Sequence, residues 1–117
     1  MEPNWKPLIA KLGDKRCVGF MFMGRVNGIN LYKHGMVRMY LNLDDRGRCY
    51  RFIDRWHFEE TDFAAELARI KAALSKLDET LESVYDENYI ARKRKALRSA
   101  GIVEETIQVD PDNWTVN

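Results

Sequence analysis

Hydrophobic and polar positions alternate in the first half of this chain and recur at helical intervals in the second. From Cys17 the sequence reads Cys-Val-Gly-Phe-Met-Phe-Met-Gly-Arg-Val, breaks at Asn27-Gly28 and resumes as Ile-Asn-Leu-Tyr-Lys-His. Asn-Gly between two apolar runs suits a type I′ turn, which needs positive φ at both central residues. Strands are therefore predicted at about 17–26 and 29–34. Gly35 sets off a third run, Met36 to Leu43, and Asp44-Asp45-Arg46-Gly47 precedes a fourth, Arg48 to Ile53. An acidic opening with a closing glycine fits a three-residue hairpin loop whose glycine is left-handed. The pattern predicts a four-stranded antiparallel meander.

Register follows from the rule that side chains alternate faces and paired residues share one. If Asp44 opposes Arg48, then Val37, Met39, Leu41, Leu43, Cys49 and Ile53 form a core face with Arg51 as its one charge. The opposite face carries Tyr40, Asn42, Tyr50, Phe52 and Arg38, too aromatic for a plainly solvated surface. With Val26 opposite Ile29, Phe20 and Phe22 are expected beside Ile29 and Leu31. Met21, Met23, Arg25, Tyr32 and His34 then face the other way. A two-sided sheet is expected, its second side covered either by this chain or by something else.

Residues 61–100 contain neither Gly nor Pro, and Phe63, Leu67, Ile70, Leu74, Leu77, Leu81 and Val84 recur at intervals of four and three. That heptad predicts a helix of about 22 residues, roughly 33 Å long. Thr61 or Asp62 can cap it, and the acids at Glu59, Glu60, Asp62 and Glu66 suit the positive end of its dipole. The heptad fails after Val84. A second helix of about 87–100 would bury Tyr89, Ile90, Leu97 and Ala100 and end at Gly101. The entry segment has room for one helical turn around Leu8, Ile9 and Leu12, and residues 102–117 form a partly ordered tail. The fold class is α+β: a four-stranded meander followed by one long and one shorter helix, in a single domain spanning 1–117.

Composition narrows the chemistry. At 117 residues, 45% hydrophobic, the chain can build a core from side chains alone. Nineteen Lys plus Arg against 18 Asp plus Glu leave a net charge of +1, so no global basic field exists and any nucleic-acid site must be local. Cys17 and Cys49 form no C-x-x-C pair and read as small buried hydrophobes in a reducing cytosol. Neither a signal peptide nor a membrane span is recognisable, which makes cytoplasmic the default. The P-loop, nucleophile-elbow, zincin and dinucleotide fingerprints are missing, and Ser75, Ser83 and Ser99 fall inside predicted helices. Two histidines, His34 and His57, do not make a zinc site, so no metal and no cofactor are expected. His57 beside Trp56, with Asp54 three residues earlier, could act as a general base. A junction histidine bonded to backbone is the simpler account, and the chain reads as non-catalytic. Asp44-Asp45 needs no metal as a turn opening, and the Asp-Pro-Asp-Asn run at 110–113 lacks the distal Glu of a calcium loop.

Two surfaces remain as candidates. The aromatic sheet face, Tyr40, Tyr50, Phe52 and Arg38, is the candidate interaction surface for a protein partner or a second copy of the chain. The cluster Arg92, Lys93, Arg94, Lys95 and Arg98, with Arg46, Arg48 and Arg38 beside the aromatics, is the candidate for phosphates of single-stranded nucleic acid. Such a cluster near a helix C-terminus is also what the macrodipole favours without a ligand. The heptad seam either packs internally or pairs with another subunit. Glu66 and Lys71 are its only complementary flanking pair, and Ala64, Ala65, Ala68, Ala72 and Ala73 widen the apolar surface, so internal packing is expected. The functional expectation is a small cytosolic non-catalytic protein-interaction module, self-associating or docking on a protein partner. The alternative is single-stranded nucleic-acid binding.

Overall fold

Five antiparallel strands form one sheet in the order of the chain, with helices against one of its faces. The computed structural model describes residues 2–55, 57–84, 92 and 95. α1 (Lys6–Leu12) has proline in its first turn, where a missing N–H is not needed, and it leads through a 3₁₀ turn, Asp14–Arg16, into the sheet. The strands are β1 (Phe20–Val26), β2 (Ile29–His34), β3 (Tyr40–Asp44), β4 (Cys49–Asp54) and β5 (His57–Thr61), followed by α2 (Phe63–Ser75). The class is α+β, as expected, but the meander has five strands instead of four. β5 was missed because His-Phe-Glu-Glu-Thr is mostly exposed, as suits an edge strand guarded by charge.

Both predicted turns form. Asn27 and Gly28 have φ of 52° and 78° between the paired residues Val26 and Ile29. The loop after β3 closes with the Asp44 N–H donating to the Arg48 carbonyl at 3.0 Å, and Gly47 takes φ 83°. The third predicted strand begins later than expected. Residues 35–38 form a turn, in which the Arg38 N–H donates to the His34 carbonyl at 2.8 Å and Arg38 has φ 58°. Arg38 therefore lies in a turn and not on the strand that carries Tyr40.

The largest correction concerns the face of β1. Phe22 pairs with Tyr32 but Gly24 pairs with Leu31, so Met23 is the extra residue of a β-bulge. One inserted residue reverses the phase of everything before it. Phe20 and Phe22 consequently share the face of Tyr32 and His34, not that of Ile29 and Leu31. Gly24 at φ 128° supplies backbone freedom that a side chain would resist.

The helical layer covers that face. Leu8 and Leu12 of α1, and Ile70 and Leu74 of α2, pack with Phe20, Tyr32, Leu41, Leu43 and Cys49. Trp5 lies over Tyr32 at 5.6 Å, and the Tyr32 hydroxyl donates to the Asn4 carbonyl, which ties the entry segment to the sheet. Ile53, expected in this core, is 44% exposed near the end of β4. On the opposite face Ile29, Leu31 and Tyr40 are buried with Met23, Val26, Tyr50 and Phe58 around them, so that face carries a smaller apolar cluster of its own. Among the described residues, that second cluster is made by the sheet alone.

α2 is shorter than the heptad predicts. Asp62 caps its start by accepting the Ala65 N–H at 3.1 Å. Its end is a Schellman closure: Asp78 takes φ 57°, its N–H donates to Ser75, and the Glu79 N–H donates to Leu74 at 3.0 Å. The heptad residues Leu77 and Leu81 still reach the core beyond the helix, whereas Val84 is 84% exposed. The predicted helix at 87–100 and the tail at 102–117 lie outside the described residues, apart from Arg92 and Lys95, which are helical and exposed. Among the described residues no helix is long and apolar enough to cross a membrane.

Candidate functional site

The β3–β4 loop and α1 enclose a cleft of about 610 Å³. Lys6 and Lys11 border it from α1, Arg46 and Gly47 from the loop, and Asn4 and Asp45 close one wall. Pro7 and Ala10 also line it, and among the described residues the lining contains no aromatic ring. Gly47 permits the approach of α1: a Cβ there would stand 2.9 Å from Lys11 Cε. The Lys11 ammonium lies 5.2 Å over the Phe63 ring, which holds its stem across the loop.

The acids of the loop are already engaged. Arg25 donates to both Asp45 oxygens, at 2.7 and 2.8 Å, and the Asn30 and Asn4 side-chain amides donate at 3.1 and 3.3 Å. These bonds, that from Arg25 foremost, hold the Asp45 carboxyl down at about 2. Asn30 is fully buried and also donates to the Leu43 carbonyl at 3.0 Å, so the network is anchored in the sheet. Asp44 accepts the Arg46 and Arg48 backbone N–H groups at 2.9 Å each, the Arg48 guanidinium at 2.8 Å and the Tyr50 hydroxyl at 3.0 Å. Neither carboxylate is poised to take a proton near neutral pH, and both are spent on building the loop. Among the described residues no group of His, Cys, Asp and Glu is arranged to hold a metal ion.

Five of the arginines are already matched by acids. Arg16 is bridged by Glu82, Arg25 by Asp45, Arg48 by Asp44, and Arg51 and Arg69 by the half-shared, buried Glu66. Lys6, Lys11 and Arg46 are exposed and have no acidic partner among the described residues. Those three meet at the cleft.

The residues singled out in the sequence are placed differently. Tyr40 and Phe52 are each only 9% exposed, and Tyr50 is half-buried with its hydroxyl on Asp44. The Phe52 ring meets the Phe58 ring edge-on at 5.6 Å, and Lys33 lies 5.6 Å over Tyr40. Arg92 and Lys95 are exposed, and Arg94 and Arg98 lie outside the described residues. His57 is on the edge strand, its Nε2 3.6 Å from Glu59, while His34 is buried in the core. Both cysteines are free thiols, and burial pushes that of Cys49 up to about 11. The cleft was not found from the sequence because Lys6 and Lys11 are far from Arg46 along the chain. A basic α1 with an acid-free last turn was the only local signal.

No family model, curated protein or solved structure matches this chain.

Proposed function

We propose that this chain is a small non-catalytic protein-interaction module that captures an acidic segment of a protein partner in the cleft between α1 and the β3–β4 loop. The observation that carries the reading is the convergence of three exposed cations without an acidic partner among the described residues, Lys6, Lys11 and Arg46, on one cleft. A carboxylate-bearing segment completes that charge pattern, and electrostatic complementarity of this kind favours fast, salt-sensitive association. The absence of an aromatic ring from the lining favours carboxylates over nucleic acid, whose single strands are gripped largely by stacking. Two free thiols fit a reducing cytosol.

The test is fluorescence anisotropy of a labelled Asp/Glu-rich peptide, a charge-neutral Asn/Gln version and an oligothymidylate, each at low and moderate salt. The acidic peptide is expected to bind most tightly, with affinity falling as salt rises. Reversing Lys6, Lys11 and Arg46 to Glu is expected to weaken it at least about tenfold, a loss of roughly 1.4 kcal/mol. Arg92→Ala with Lys95→Ala is expected to leave it unchanged. Preference for the oligonucleotide would transfer the site to nucleic acid, and equal binding of the neutral peptide would remove the cleft from the argument. Mass in solution, measured on the same sample, decides whether a second copy of the chain is the partner.

A further inference from the structure

His34 ends β2 and is 1% exposed. Its Nδ1 accepts the Met36 backbone N–H at 3.2 Å, so the proton of the neutral ring resides on Nε2. Among the described residues Nε2 has no hydrogen-bond partner, because it lies against the open face of Gly19, where even a Cβ would come within 2.4 Å. The Phe20 ring meets the imidazole edge-on at 5.0 Å. The same corner is closed by the Gly35 N–H donating to Gly19 at 2.8 Å and by the His34 N–H donating to Met39 at 2.9 Å. Met36 and Val37, at 0% and 7% exposure, are the apolar residues that this turn inserts into the core.

We propose that His34 is an acid-sensitive latch: while neutral, it fastens the β2–β3 turn through Nδ1, and on protonation it releases Met36 and Val37 from the core. A second proton has only Nδ1 to go to, and there it sets an N–H against the Met36 N–H. The bond is lost and a charge is left buried with no acceptor. No acid offsets it. On the elements packed around the ring, Lys33 points to the opposite sheet face, Arg38 is a cation, and the Cys17 thiol is held neutral, its pKa raised by burial and then by Asp14. Across the core, Lys11 is over Phe63 and Glu66 is bonded to Arg51. Burial alone lowers the imidazole from 6.5 to about 4 in the folded chain. The latch is therefore fully closed above the unfolded value and weakens as pH falls from there toward about 4.

The experiment is imidazole nitrogen spectroscopy together with amide hydrogen exchange on the intact chain. At about pH 7 the expected tautomer has Nδ1 bare and Nε2 protonated. Between about pH 7 and about pH 5 the protection factors of the Gly35 and Met36 amides, corrected for intrinsic exchange, are expected to fall about 20-fold. Amides paired between β4 and β5 are expected to fall less. In His34→Asn, whose side-chain oxygen can take the Nδ1 role without titrating, the acid-dependent drop is expected to disappear. A proton on Nδ1 at neutral pH, an equal loss at β4–β5, or the same drop in His34→Asn would each overturn the latch. If His34→Asn does not fold, the tautomer and the contrast with β4–β5 decide the matter in the unaltered chain.

Discussion

Truncating Leu74 to alanine is expected to cost about 3 kcal/mol, whereas Val84→Ala is expected to change stability by no more than about 0.5 kcal/mol. Leu74 is fully buried among residues of α1, the sheet and α2, so its loss removes apolar contact and leaves a cavity that close-packed neighbours fill only in part. Val84 continues the same heptad but is 84% exposed. Urea titration of the two variants reads the contrast directly. Comparable losses would mean that the seam continues past the Asp78 turn. A loss at Leu74 that depended on protein concentration would return the seam to an interface between copies.

Gly19→Ala is expected to cost about 2 to 3 kcal/mol, an unusual penalty for adding one methyl group. Backbone strain is not the cause. The new Cβ would stand 2.4 Å from His34 Nε2 and 3.0 Å from Cε1, and the ring it strikes is wedged between the Phe20 ring and the Met36 N–H. Moving that ring breaks the bond that closes the β2–β3 turn. A double-mutant cycle with His34→Asn separates the collision from other effects. The smaller side chain is expected to relieve part of the penalty, so the double variant should be more stable than the sum of the singles. Simple additivity would show that the alanine acts through something other than the ring.

What could be read in advance was whatever the chain encodes locally. Asn27-Gly28 and Asp44 to Gly47 announce their turns because few residues tolerate the required backbone angles, and both turns stand where they were expected. The internal packing of the heptad was legible as well, since Phe63, Leu67, Ile70, Leu74, Leu77 and Leu81 all join the core. The end of α2 was not. Asp78 adopts a left-handed conformation that glycine would have advertised, and the apolar spacing runs on through it unaltered. The bulge was hidden for a related reason: in Phe-Met-Phe-Met every residue is apolar, so no polar position marks where the phase slips. The cleft and the latch lie beyond local reading altogether. One needs Lys11 to cross Gly47, and the other needs the Met36 N–H and the bare backbone of Gly19 on opposite sides of a single ring.

The Met23 bulge also makes β1 sensitive to length in a way that its composition does not suggest. Strand parity here is carried by a residue count, so the two ends of β1 are out of step with each other by design of the backbone. Straightening the bulge with all its residues kept would send Phe20 and Phe22 to the wrong side of the sheet, whereas removing Met23 alone would leave Phe22 opposite Tyr32 in a regular ladder. Any graft or circular rearrangement that reuses this hairpin must carry Met23 and Gly24 with it as a unit.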